Sequence, residues 1–250
     1  MHEPLRDYSA VVLSAVKDVD YGVEVRQVAS YVAIVALHGG GIEPLTSELA
    51  DAIAGREHSL YTFRGLRENG NDALRISPLR ASEMRLDNLI GHSKTVLSIA
   101  GAADVGMTVQ VGGSNETLRN LLLHTLKEAG FDARPSDTPG VDHARAYFFN
   151  GAEQGGVQLE LSAALRASML DAPLNGFRWE DPACWNDRLH HFVRVVREAL
   201  ALYVARDRTD LARTMERFER TTLRVPRWMR SEGHTHNHEQ DEDNEDSGEG

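Results

Sequence analysis

The stretch that most restricts the fold is an apolar run, Tyr31-Val32-Ala33-Ile34-Val35-Ala36, that leads into Leu37-His38-Gly39-Gly40-Gly41-Ile42-Glu43-Pro44. A run this short, β-branched and closed by glycines predicts a buried strand. Open α/β sheets place their ligands in loops at the carboxyl ends of such strands. His38 and Glu43 are both metal-ligand types, and the glycines between them let the backbone fold so that the two side chains converge. The loop reads as two thirds of a zinc site.

The rest of the chain fits a sheet with helices packed on it. Strands are expected at Tyr21–Val28, Ser59–Phe63, Ala73–Ser77, Thr95–Ala100, Met107–Val111 and Val157–Leu161. Helices are expected at Tyr8–Val19, from Thr46 to Ala54, Asn115–Gly130, Ser162–Met169, Arg188–Arg206 and Leu211–Arg220. Alternating strands and helices predict an α/β fold, and hairpin-like segments make the sheet mixed, though largely parallel, with helices on both faces. The expected organisation is one domain over residues 1–230. A structureless tail, His-rich and then acidic, follows over 231–250.

Formal net charge is -11, which argues against general binding to nucleic acid or anionic membranes. Much of that charge lies in the run from Glu239 to Asp246. Cys184 is the only cysteine, so an intramolecular disulfide is excluded and a cysteine-ligated zinc site is not expected. Residues Met1–Asp7 lack the basic start and apolar core of a signal peptide, and no apolar run has the length of a membrane span. The expected location is the cytoplasm.

Zinc hydrolases hold the metal through three protein groups and leave one position for water, while a nearby carboxylate takes the proton. Glu160 fits that base. It lies in Gln158-Leu159-Glu160-Leu161, where alternation sets it opposite Val157, Leu159 and Leu161. An acidic residue within such a strand otherwise faces solvent or pairs with an arginine. Two other chemistries lack their motifs: there is no G-x-S-x-G elbow and no G-x-x-x-x-G-K-[ST] loop. The turn Gly112-Gly113-Ser114-Asn115 before a helix either holds an anion on free backbone N–H groups or is a tight turn with Ser114 or Asn115 as the helix cap.

The chain resembles the phage-type poly-γ-glutamate hydrolases, a zinc family with a carboxypeptidase-like α/β fold. The matching stretches are collinear from about Tyr21 to Met169. They are His38-Gly-Gly-Gly-Ile-Glu43-Pro44 with Thr46-Ser47-Glu48, Ser59-Leu-Tyr-Thr-Phe63 with Gly65, Ser98-Ile99 with Gly101, Val111-Gly-Gly113 with Asn115, and Gly156-Val-Gln-Leu-Glu160-Leu161 with Leu165-Arg166. The resemblance implies zinc ligands at His38 and Glu43, a general base at Glu160, and substrate contacts from Arg166 and Asn115. The implied substrate is an acidic peptide or polymer, and the implied setting is phage-related.

Four positions depart from the family pattern. Ala100 stands where the third zinc-ligating histidine is expected, Arg75 replaces another histidine, Leu45 a glycine, and Arg64 an acidic residue. Asp104, just past the Ala100 strand, is one candidate for the missing ligand, with His143 and His58 as others. The expected function is a zinc-dependent amide hydrolase acting on γ-glutamyl bonds. The alternative is a non-catalytic relative that binds an acidic ligand or a protein partner.

Overall fold

The computed structural model describes residues 6–102, 106–136, 152–174 and 178–222. Asp104, His143 and the 231–250 tail lie outside them. The chain divides into two units, Met1–Arg206 and Asp207–Gly250.

Seven strands form one sheet: β1 (Tyr21–Arg26), β2 (Val32–Gly40), β3 (Ser59–Gly65), β4 (Thr95–Ala102), β5 (Thr108–Gly113), β6 (Asp132–Pro135) and β7 (Gly156–Ser162). Their order is β1-β3-β2-β4-β7-β5-β6. The four central strands, β3, β2, β4 and β7, are parallel, while β1 runs antiparallel to β3 and β5 antiparallel to β7. The mixed, largely parallel α/β sheet expected from the sequence is therefore present. Every residue of β2 is buried, as its unbroken apolar run requires.

The helices are α1 (Tyr8–Val12), α2 (Thr46–Ala54), α3 (Met84–Gly91), α4 (Glu116–Glu128), α5 (Ala163–Ala167) and α6 (Asp187–Thr222). One face of the sheet packs Ile34 and Leu159 against Leu49 of α2, Leu122 of α4 and Phe192 of α6. The other packs Val35 and Phe63 against Val11 of α1 and Leu89 of α3. Side chains alternate across β2, β3 and β4, so these strands feed both cores.

Three expectations are corrected. Segment 73–77 is no strand of the sheet. It is a 3-10 turn, Asn71–Leu74, followed by extended chain touching Arg6 through a single bridge at Ile76. Its backbone is instead drawn over the strand ends, where Ile76 meets His38. The first helix stops at Val12. The two C-terminal helices are one, because no proline or glycine interrupts Asp187–Thr222.

Candidate functional site

The parallel strands end together at His38–Gly40, Gly65, Gly101 and Ser162, and the candidate site is built on that edge. The loop after β2 closes on itself: the Glu43 N–H donates to the His38 carbonyl at 2.8 Å. Gly40 makes the turn possible, since its φ of 60° is one that residues with a Cβ rarely adopt. Leu45 opens α2 at φ 77° without a side-chain cap. A left-handed leucine is strained, and its complete burial in the core offsets that cost. The Thr46 hydroxyl, at the start of α2, donates to the Glu43 carbonyl at 2.8 Å.

The loop brings the two expected ligands together. His38 Nδ1 lies 3.3 Å from Glu43 Oε1, and both residues are buried. His38 Nε2 sits 2.9 Å from the Ile76 carbonyl and 3.2 Å from its N–H, which fixes the ring. Glu43 Oε2 accepts from the Gly101 N–H at 2.6 Å. Its Oε1 also accepts from Arg75 Nη1 at 2.7 Å. Arg75 is itself held, with Nε on Asp72 at 3.1 Å and Nη2 toward the Ile42 carbonyl at 3.4 Å.

These partners decide the charge of Glu43. Burial alone pushes its carboxyl upward, but His38, the Gly101 N–H and Arg75 outweigh burial and bring it down to about 2. Glu43 is thus a carboxylate whose charge is already matched by protein groups.

Arg166, from α5, is buried rather than presented to a ligand. Its Nε donates to the Leu161 carbonyl at 3.2 Å and its Nη1 to the Pro44 carbonyl at 2.5 Å. Its Nη2 packs so closely over Gly101 that a Cβ there would approach to 2.9 Å. Burial lowers its basicity, partly countered by Glu43. Arg166 ties the loop after β2 to the end of β7.

Glu160 stands on β7 in register with Ala100 on β4, so the two side chains share a face. Glu160 is half-buried and its Oε1 accepts from Gln158 Nε2 at 2.8 Å. Asn115 is not at this site. It caps α4, accepting from the Leu118 N–H at 3.0 Å, and its amide donates to Thr95 and Tyr203. Thr95 opens β4, whereas the site lies at its far end, roughly 20 Å away by strand rise. The Asn115 side chain thus serves the fold, through its bonds to Leu118, Thr95 and Tyr203.

Among the described residues, none completes a three-ligand zinc centre with His38 and Glu43. Ala100 supplies no donor, and a guanidinium already occupies Glu43. Among the described residues no three histidine, cysteine, aspartate or glutamate side chains converge as a metal site.

The model for the family described as poly-γ-glutamate hydrolase matches residues 6–195. The chain belongs to this family. Among its relatives, the UPF0714 protein YndL of Bacillus subtilis (strain 168) is 34% identical over 156 residues, covering 60% of each chain. The SPbeta prophage-derived UPF0714 protein YoqZ of the same organism is 31% identical over 155 residues, covering 60% of this chain and 56% of that one. The chain thus matches less than two thirds of the length of both relatives. Among solved structures, a bacteriophage poly-γ-glutamate hydrolase aligns with TM-score 0.72 and 27% identity over 80% of this chain and 97% of that one. A zinc-free structure of YndL aligns with TM-score 0.66 and 31% identity over 73% and 90%. No helix among the described residues is long and apolar enough to cross a membrane.

Two features of the site escaped sequence reasoning. Arg75 was legible as a positive residue near the loop, but not as the direct partner of Glu43, because that contact depends on the path of residues 71–76. The burial of Glu48 was also hidden, although its place on α2 between Ser47 and Leu49 gave a signal.

Proposed function

We propose that this chain recognises γ-glutamyl polymer, or a related acidic peptide, without hydrolysing it. The observation that carries the reading is the 2.7 Å pair between Arg75 and Glu43, beside a strand end where Ala100 stands in place of a ligand. A guanidinium on Glu43 supplies the positive charge that would otherwise balance the carboxylate, and a metal would have to displace it. Support for retained recognition comes from the family match and from Arg75, which stays partly exposed beside the loop. Nucleic acid and membrane are not proposed as partners.

One observation favours zinc-dependent γ-glutamyl hydrolysis as the second reading. Glu160 keeps its place opposite Ala100, where a proton acceptor would be needed. That reading requires a further ligand from residues such as Asp104.

The test is calorimetric titration with poly-γ-glutamate, alongside an assay for newly released amino groups and a zinc determination. Binding without release supports the proposal. Amine release with stoichiometric zinc overturns it in favour of the hydrolase, and absence of binding overturns both.

A further inference from the structure

A second polar cavity, separate from the His38–Glu43 loop, lies under α2. Its volume is about 200 Å³, and Glu48, Thr62 and Arg64 reach into its wall. Thr62 shares a strand face with Leu60, so the cavity opens on the face covered by α2. Glu48 is only 8% exposed and Thr62 only 1%.

The hydrogen bonding of this wall is incomplete. Ser47 Oγ accepts from the Gly40 N–H at 3.1 Å and donates to Glu48 Oε1 at 3.0 Å. Glu48 Oε2 and Thr62 Oγ1 have no partner. An orphaned carboxylate oxygen in a buried wall is costly, and native structures normally satisfy such a group. The surroundings are acidic: Glu24, Asp51 and Glu180 also line the cavity. Two arginines offset part of this charge. Arg26 pairs with Asp51 at 2.7 Å and stands 3.8 Å from Glu24. Arg64 reaches Glu180 only at 4.0 Å, and its Nε has no partner. Neither arginine makes a hydrogen bond to Glu48.

We propose that this cavity binds a protonated primary alkylamine, with the ammonium donating to Glu48 Oε2 and Thr62 Oγ1 and the alkyl stem lying along Trp185. An ammonium has three donors and no acceptor, which matches a wall whose missing partners include two acceptors. A single metal ion is a poorer match, because the carboxylates do not converge as a metal site. The cavity is smaller than those that enclose drug-sized ligands, so it suits one amine terminus. Burial pushes the Glu48 carboxyl up to about 7, consistent with an acid that lacks a counter-charge. The inference is independent of what the His38–Glu43 site does.

The test uses the full chain and butylamine hydrochloride, with tetramethylammonium chloride as control, followed by calorimetry and by NMR of the ligand. Butylamine is expected to bind, and tetramethylammonium, which has no N–H to donate, is not. Loss of one charge-assisted hydrogen bond in Glu48→Gln should weaken butylamine binding about tenfold or more. Arg64→Met, which removes the cation nearest Glu48, should tighten it, and this variant keeps the proposal testable if Glu48→Gln does not fold. Absence of butylamine binding, equal binding of tetramethylammonium, or unchanged affinity in Glu48→Gln overturns the proposal.

Discussion

Ala100 stands opposite Glu160 across the β4–β7 pair, on the strand edge where Glu43 accepts from the Gly101 N–H. A histidine at position 100 would therefore point from the same face as Glu160, beside the loop that carries His38 and Glu43. In this chain that place holds a methyl group, and Arg75 closes Glu43 from the other side. We propose that positions 100 and 75 are physically coupled through Glu43. A metal removed from Glu43 leaves a buried carboxylate without its counter-charge, and a nearby guanidinium supplies one.

That coupling makes a paired restoration informative. In a chain with His234, His236 and His238 replaced by alanine, so that the tail cannot capture metal, elemental analysis should find no tightly held zinc. Ala100→His together with Arg75→His should bring the content to about one zinc per chain, by restoring donors and removing the competing cation. Ala100→His alone should hold far less, because Arg75 still occupies Glu43. Stoichiometric zinc in the parent would mean that a third ligand exists despite Ala100.

The sheet was legible because its signals are local. The β-branched run of β2 and the alternation in β7 need only their own residues to declare a strand, and the glycines after Leu37 mark where it ends. His38 and Glu43 were legible for the same reason, lying five positions apart in one loop. Asn115 was legible only as two alternatives, because a helix cap and an anion-binding turn share one sequence pattern, and its bond from the Leu118 N–H shows the cap. Arg75 pairs with a residue 32 positions away. That contact is set by the path of residues 71–76, whose apolar Leu74 and Ile76 read equally well as a strand.

Arg75→Met should destabilise the fold by about 1–3 kcal/mol at pH 7, because it leaves Glu43 buried with part of its compensation gone. The acid side should move as well. Glu43 titrates near 4.5 when unfolded and about 2 when folded. Its contribution, about 3 kcal/mol, is therefore present above 4.5 and lost as pH falls through the folded value. With Arg75 removed the folded value rises, so less of this stability exists to be lost. Urea unfolding at pH 7 and pH 4 reads both effects. Identical midpoints for parent and variant at pH 7 would show that the pair contributes nothing.

Asn115→Ala should cost about 1–3 kcal/mol, from a lost helix cap and two lost buried hydrogen bonds, without altering poly-γ-glutamate binding. Asn115→Asp keeps the capping oxygen but loses the amide donors, and should fall between parent and alanine variant. A selective loss of polymer affinity in Asn115→Ala, with unfolding unchanged, would return this residue to the ligand site.

Glu48→Gln should stabilise the protein in a way that depends on pH, and the sign follows from its raised titration. The folded carboxyl keeps its proton up to about 7, whereas the unfolded one releases it near 4.5. Between those values the folded state binds more protons, so parent stability falls as pH rises. It is full below 4.5, declines through about 7, and stays reduced above. The decline amounts to about 3 kcal/mol. Glutamine has no charge to desolvate and should show no such decline, so the gap between the two proteins opens from pH 4.5 to 7 and then stays constant. Saturating butylamine should narrow the gap at pH 8, because the ammonium stabilises the charged form of Glu48 in the parent alone. Thermal unfolding across this pH range, with and without the amine, checks both effects. A gap that is constant from pH 4 to pH 8 would mean that Glu48 titrates as an ordinary carboxylate.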